Sequence, residues 1–278
     1  MLKSDFHVHT SSSDGILSPR EVVKRAHLNG VSYLAITDHD TISGISEAQD
    51  EAKKYSLTII PGIELSTNFE GESIHVLGFF KDDSYKSEEF INILNSIKNR
   101  RVERAKEMVE KLKVNCNIHI SFENVLKHGK EIIARPHIAK EIIAAGYDYS
   151  FDYIFDNFIG KDRPAYVPTN KLSTEEGIKI LHNFHAIAIL AHPVLIKNSN
   201  VSEFLPFNLD GIEAVYFQNT KKDEDYFMDF ANNHNLLITG GSDCHGDFIN
   251  DDRHGDIGDM PIPTEYLENF LNALSITL

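Results

Sequence analysis

Tryptophan is absent from the 278 residues, and cysteine occurs only twice, at Cys116 and Cys244. Two cysteines so far apart make no disulfide framework, which excludes the small stapled scaffolds of secreted proteins. No apolar run approaches the roughly 18 residues that span a bilayer, so a helical membrane protein is excluded and no membrane partner is expected. Positive charge is also scarce: 27 Lys and Arg face 42 Asp and Glu, for a formal net charge of −15. Nonspecific affinity for duplex DNA comes mainly from Lys and Arg on phosphates, so duplex DNA binding is not expected. A phosphate-bearing substrate stays open, because bound divalent ions invert the local field. The opening residues, MLKSDFHVHT, lack the apolar core of a signal peptide, and a cytoplasmic location is expected. No interface signal is visible, and a monomer is expected. Otherwise the composition, 41% hydrophobic and 25% charged, is that of an ordinary globular chain. The length suits one large barrel-like domain, or one domain carrying an insertion.

Histidine is what the chain has in place of these. Seven of its fourteen histidines lie in short clusters with acidic or turn residues. The clusters read DFHVHT (5–10), SDG (13–15), TDHD (37–40), PGIE (61–64), IHVLG (74–78), RPH (135–137), AHP (191–193) and GSDCH (241–245). Imidazole nitrogens and carboxylate oxygens are the donors that first-row divalent metals take. One cluster alone says little. The joint pattern predicts a single multi-metal site.

Strand-like and helix-like segments alternate along the chain. Strands are predicted at 4–8, 33–37, 57–60, 73–80, 186–191, 211–217 and 236–240. Helices are predicted at 46–55, 174–183, 222–234 and 264–274, and one opens at Ser18-Pro19-Arg20-Glu21, which carries a Ser N-cap, Pro at the first position and a capping-box Glu. Candidate donors sit at or near the C-terminal ends of the strands, except His75, near the start of its own. That polarity is the one α/β barrels show, and the alternation predicts mostly parallel strands. Between about 83 and 160 the rhythm breaks. Residues 88–113 read as one long helix, followed by shorter helices at 122–128, 136–145 and 152–159. The expected organisation is a barrel formed by 1–82 and 161–278, with 83–160 as a helical insertion capping the active site. Longer crossover helices are the alternative.

The residues differ in what each says by itself. His7 and His9 share one side of a strand, because side chains alternate with period two. Asp14 alone is a turn residue. His39 is a ligand candidate; Asp38 either orients a ligand histidine through its second nitrogen or caps locally, and Asp40 reads as a helix N-cap. Glu64, after Pro-Gly at a strand end, can bridge two ions. His75 in isolation is a satisfied core histidine. His192 ends an almost wholly apolar strand, where an ionisable group needs a partner or a metal. Asp243 and His245 repeat the two-residue spacing, with Cys244 pointing the opposite way between them.

Taken in order, these motifs resemble those of the PHP (polymerase and histidinol phosphatase) family, from residue 5 to residue 245. The resemblance implies a distorted (β/α)7 TIM-like barrel that hydrolyses phosphate esters with two or three divalent ions and a metal-bridging hydroxide. ARPHIA within the insertion and KDRPAYVP after it resemble the single-domain subgroup of nucleotide phosphoesterases. That subgroup acts on the 3′-phosphate of nucleoside 3′,5′-bisphosphates or on the 5′ ends of short RNA. Residue by residue, the resemblance places His7, His9, Glu64 and Asp243 around a first metal. Asp14, His39 and His245 fall around a second, and Glu64, His75 and His192 around a further position, with Glu64 bridging. His192 is alternatively a general acid, and His137 a ligand, a phosphate contact or a proton donor. Arg135 and the 161–166 stretch, with Arg163 and Tyr166, correspond to substrate-phosphate contacts. Arg163 stands where the subgroup usually carries Lys, and its planar fork suits bidentate phosphate binding where Lys is a point charge. The alternative for both arginines is a surface ion pair. Mn²⁺ is the expected ion, with Fe²⁺ and Zn²⁺ served by the same donors. The expected partner is a phosphorylated nucleotide or short oligonucleotide.

Three other readings compete. A histidinol-phosphate-type phosphomonoesterase fits poorly with ARPH and RPAYVP. A non-catalytic metal-binding module of the kind attached to polymerases fits poorly with a full set of ligands. An amidohydrolase-like barrel needs a different strand order of ligands and usually a carboxylated Lys.

Overall fold

The computed structural model describes residues 2–129, 133–168, 171–249 and 251–276, which divide into two compact units, Met1–Ile91 with Leu172–Leu278, and Asn92–Lys171. The first unit begins with β1 (Lys3–Asp5), α1 (Pro19–Leu28), β2 (Val31–Ile36), α2 (Ser43–Ala52), β3 (Thr58–Phe69) and β4 (Glu72–Phe80). Helix α1 starts where local chemistry dictates. Ser18 Oγ accepts from Glu21 N–H, the Glu21 carboxylate accepts from Ser18 N–H at 2.8 Å, and Pro19 fills the first turn. Val22, Val23 and Ala26 form its buried face.

Helix α3 (Glu88–Cys116) leads into the second unit, which holds α4 (Phe122–Gly129), α5 (Arg135–Ala144), α6 (Phe151–Ile154) and a π-helical turn over Phe155–Ile159. Residues 152–159, read from sequence as one regular helix, thus change winding at Phe155. This unit has its own core, in which Met108, Leu112, Val125, Ile138, Ile142, Ile154 and Ile159 are fully or almost fully buried.

The first unit resumes with β5 (Leu172–Ser173), α7 (Thr174–Asn183), β6 (Ala186–Leu190), β7 (Gly211–Tyr216), α8 (Lys221–Asn233), β8 (Leu237–Gly241) and α9 (Thr264–Ala273). Helices α7 and α8 are opened by the same reciprocal cap as α1, from Ser173 with Glu176 and Thr220 with Asp223. Seven strands follow one path, β1-β2-β3-β4-β6-β7-β8, with β5 pairing β3. The path nearly closes. Past β1 and β8, Val8 bridges Cys244 in parallel, Phe6 N–H donates to Gly240 C=O at 3.2 Å, and His9 N–H donates to Cys244 C=O at 3.0 Å. Phe6, Phe79 and Phe270 pack ring to ring in the core, with centroids 4.7 Å apart for Phe6–Phe270 and 5.0 Å for Phe79–Phe270.

Parallel pairing holds for β1-β2-β3 and for β6-β7-β8, but β4 is antiparallel to both β3 and β6. The cause is local. Strand β3 does not stop near Ile60; it runs on through Pro61-Gly62 to Phe69, and the chain reverses at Glu70-Gly71, both at positive φ. A two-residue turn of that type joins only antiparallel strands. The reversal also explains His75. The start of β4 lies beside the end of β6, where Ala191 N–H donates to His75 C=O at 3.1 Å.

Candidate metal centre

Nine of the sequence-predicted donors come together at one end of the sheet: His7, His9, Asp14, His39, Glu64, His75, His192, Asp243 and His245. Glu64 lies at their middle. Its Oε2 is 2.8 Å from His39 Nδ1, 3.3 Å from His9 Nε2 and 3.5 Å from His7 Nε2. Its Oε1 is 2.9 Å from His75 Nδ1 and 3.1 Å from His192 Nε2. Asp243 Oδ1 faces His9 Nε2 at 3.1 Å and His7 Nε2 at 3.3 Å. Asp14 closes the other side, at 3.4 Å from His245 Nε2, 3.5 Å from His9 Nδ1 and 3.7 Å from His39 Nε2. Glu64 holds this place because it lies within β3, where His39 bridges it in parallel, instead of on a loop past the strand.

These donors resolve into sets whose ligand atoms all lie within 4.8 Å of one another: His9-Asp14-His39-His245, His7-His9-Asp243, His7-Glu64-His192 and His39-Glu64-His75. Five of the atoms, His7 Nε2, both nitrogens of His9, His39 Nδ1 and Glu64 Oε2, are buried and make no hydrogen bond. Buried polar atoms are ordinarily satisfied, and leaving one bare costs about 1–3 kcal/mol. Their convergence fits divalent cations. Cys244 belongs to none of the sets, and burial pushes its thiol up to about 12.

Electrostatics point the same way. Burial opposes a charge on His7, but Glu213, Asp243 and Glu64 outweigh it and hold the imidazole well above the ordinary histidine range. His9, also opposed by burial, is raised to about 10 by the carboxylates of Asp243, Glu64 and Asp14 close around it. Burial pushes Asp14, Glu64 and Asp243 upward, yet the surrounding histidines hold all three well below the carboxylate range. His75, unlike His7 and His9, is lowered, to about 4, chiefly by burial. The cluster therefore needs positive charge at its centre, which protons or cations supply equally.

A supporting layer fixes the donors, and most of it was not legible in the sequence. Glu213, wholly buried in β7, accepts from His7 Nδ1–H at 3.0 Å and from His192 N–H at 2.7 Å. That assigns the His7 proton to Nδ1 and leaves the Nε2 lone pair toward Asp243 and Glu64. Tyr216 OH donates to Asp243 Oδ2 at 3.0 Å. Asp5 accepts from Ser242 N–H and Oγ–H, at 3.0 and 2.6 Å, and from Gly258 N–H at 2.7 Å, pinning β1 to the end of β8; burial raises its carboxyl to about 6. Asp38 does not cap locally: its Oδ1 accepts from Thr10 N–H at 2.7 Å and Ser13 Oγ–H at 2.6 Å, far away in sequence, which holds the loop that carries Asp14. Asp40 is not a helix cap. At φ 51° it accepts from Ser66 N–H at 2.8 Å, and α2 begins later. His192 and Asp243 also sit at positive φ, 28° and 54°, a strained backbone that clusters at functional sites. Gly241 is needed for close approach: a Cβ there would lie 2.3 Å from His7 Cβ. His254, also unpredicted, lies against His245, ring centroids 4.4 Å apart and planes tilted by 33°.

The remaining predicted residues, Arg135, His137, Arg163 and Tyr166, belong to the second unit. Arg135 lies over the Phe155 ring at 5.5 Å, and Arg104 over the Tyr166 ring at 5.9 Å. His137 is buried, and its Nδ1 accepts from Ala134 N–H at 3.0 Å, which leaves the ring proton of the neutral form on Nε2. Arg163 is exposed. No described helix is long and apolar enough to cross a membrane.

The chain resembles known proteins over most of its length. The chain is 32% identical over 249 residues to a 5′-3′ exoribonuclease of Haemophilus influenzae, spanning 87% of this chain and 90% of that one. It is 28% identical over 254 residues to a 3′,5′-nucleoside bisphosphate phosphatase of Chromobacterium violaceum, spanning 88% of each. A crystal structure of a candidate metal-dependent phosphoesterase from Bifidobacterium adolescentis matches with a TM-score of 0.81 at 29% identity, over 98% of this chain and 96% of that one. Residues 5–157 match the PHP domain, and with this donor-lined barrel end the chain belongs to the PHP domain family.

Proposed function

We propose that this protein is a metal-dependent phosphoesterase that hydrolyses phosphate esters of nucleotides, either the 3′-phosphate of nucleoside 3′,5′-bisphosphates or the 5′ ends of short RNA. The observation that carries the reading is the convergence of buried, hydrogen-bond-free donor atoms on one barrel end. The relatives, an exoribonuclease and a nucleoside bisphosphate phosphatase, point to nucleotide phosphate esters as the bond broken.

In this reading His7, His9, Glu64 and Asp243 hold one ion, Asp14, His39 and His245 a second, and Glu64, His75 and His192 a further position. Bound divalent ions, Mn²⁺ foremost and Fe²⁺ or Zn²⁺ by the same donors, supply water acidified toward neutral pH and neutralisation of phosphoryl charge. The chain's residues do the rest. Glu213 keeps the His7 lone pair turned inward, and Glu64 aligns five imidazoles with one carboxylate. Arg135 binds substrate phosphate and offsets charge in the transition state. Arg163 and Tyr166 add phosphate contacts. The leaving alkoxide takes its proton from a protonated imidazole, His137 or, where it is not a ligand, His192, which returns to the neutral form; for His137 this requires giving up the Nδ1 acceptor bond from Ala134 N–H.

The test is product release by the Mn²⁺-loaded protein from adenosine 3′,5′-bisphosphate, AMP, histidinol phosphate and a short 5′-phosphorylated RNA. Release from the 3′ position of the bisphosphate, or of mononucleotides from the RNA 5′ end, supports the reading and chooses between its two forms. Activity on histidinol phosphate alone, or on none of the four with metal bound, sinks it.

A further inference from the structure

Building on the metal-centre reading, we propose that His254 is a further metal-directed donor of this chain, acting with Asp243 and His245 on the outer side of the centre. These three side chains each offer a ligand atom within 4.8 Å of the others. His254 Nε2 lies 3.5 Å from Asp243 Oδ2, the oxygen turned away from His7 and His9. On the opposite side of the ring, Asp251 Oδ2 accepts from Nδ1–H at 2.6 Å. That bond puts the proton on Nδ1 and the lone pair on Nε2. A carboxylate behind a histidine whose other nitrogen faces a donor set is the arrangement that orients metal ligands.

The ring is held from both sides of the chain. Arg253 C=O accepts from Gln218 Nε2–H at 3.0 Å, and Gly255 N–H donates to Ser242 C=O at 2.9 Å. These bonds tie the His254 segment to the ends of β7 and β8, the strands that position Asp243. The Asp251 carboxylate is itself fixed by Arg253 N–H at 2.9 Å. A histidine–carboxylate pair away from the centre lacks this setting: His185 bonds Asp82 at 2.7 Å with two thirds of its side chain exposed, whereas the His254 side chain is 18% exposed and its ring lies against His245.

The experiment measures Mn²⁺ affinity and stoichiometry on the stripped, refilled full-length chain, by calorimetry and elemental analysis, for wild type, His254→Ala, Asp251→Asn and His185→Ala. Circular dichroism checks that each variant is folded. His254→Ala is expected to weaken one class of Mn²⁺ site by roughly 10–100-fold, the scale set by ligand and supporting-carboxylate losses elsewhere. Asp251→Asn should weaken the same class less, and His185→Ala should leave it unchanged. The Co²⁺-loaded protein should show an altered visible spectrum in His254→Ala, which a merely structural role does not produce. Wild-type affinity, stoichiometry and Co²⁺ spectrum in His254→Ala overturn the inference alone, as does a fall in turnover with metal binding intact. A wild-type chain that binds no divalent ion overturns both this inference and the metal centre.

Discussion

Glu213→Gln is nearly isosteric but removes the charge behind His7. The carboxylate accepts three contacts with no water access: His7 Nδ1 at 3.0 and 3.2 Å, and His192 N–H at 2.7 Å. A glutamine has one acceptor oxygen and one donor NH₂. Whichever way it turns, either His7 or His192 meets a donor with a donor. If His7 loses, its proton moves to Nε2 and the lone pair turns away from Asp243 and Glu64. Losses of this kind cost about 10–100-fold in metal affinity, which is roughly 1.4–2.7 kcal/mol at 1.36 kcal/mol per tenfold. Glu213→Ala goes further, leaving the buried His192 N–H unpaired at a further cost of about 1–3 kcal/mol in stability. Calorimetric Mn²⁺ titration reads the first effect and urea unfolding of the metal-free protein reads the second. A Glu213→Gln protein with wild-type Mn²⁺ affinity refutes the assignment of the His7 proton.

Three further outcomes are expected. Glu64→Gln, which removes the charge shared by five histidines, lowers kcat for phosphate release by at least roughly 100-fold, the scale of losing one electrostatic partner in an active site; a loss under tenfold argues against the bridging role. Metal loading releases protons and tightens as pH rises toward 10, because the metal-free centre holds protons on His7, raised well above its usual range, and on His9, raised to about 10; calorimetry in buffers of different ionisation enthalpy reads the number, and zero release contradicts the charge balance. Arg135→Ala costs about 10–100-fold more in kcat/KM on a nucleoside bisphosphate than on a small chromogenic phosphodiester, as losing a charge-assisted hydrogen bond implies; equal losses remove Arg135 from substrate selection.

The donors were legible because each follows a rule that sequence carries. His7 and His9, like Asp243 and His245, show period-two spacing next to an apolar strand, and His192 stands out as an ionisable group ending AIAIL. The antiparallel β4 was not legible, since its turn, Glu70-Gly71, is a weaker signal than Asn-Gly or Asp-Gly. Without the reversal, His75 looked misplaced. Asp40 resembled a helix cap because cap and turn residues share composition; only the backbone, at positive φ, sends its side chain to Ser66 instead. Glu213 offered a usable signal, a lone carboxylate in the buried strand GIEAVY, because such a group requires a partner. Tyr216 and His254 offered none. An aromatic in an apolar strand reads as core, and a histidine in an irregular loop has no period to place it.

The most direct test of the central claim is to titrate Mn²⁺ into chelator-stripped protein while following bound metal and phosphate or mononucleotide release from the nucleotide substrates together. The account predicts no turnover without metal and activity that rises with occupancy of the Glu64 centre. Full activity in the stripped protein, or a fully occupied centre that cleaves neither the bisphosphate nor the RNA, would contradict it.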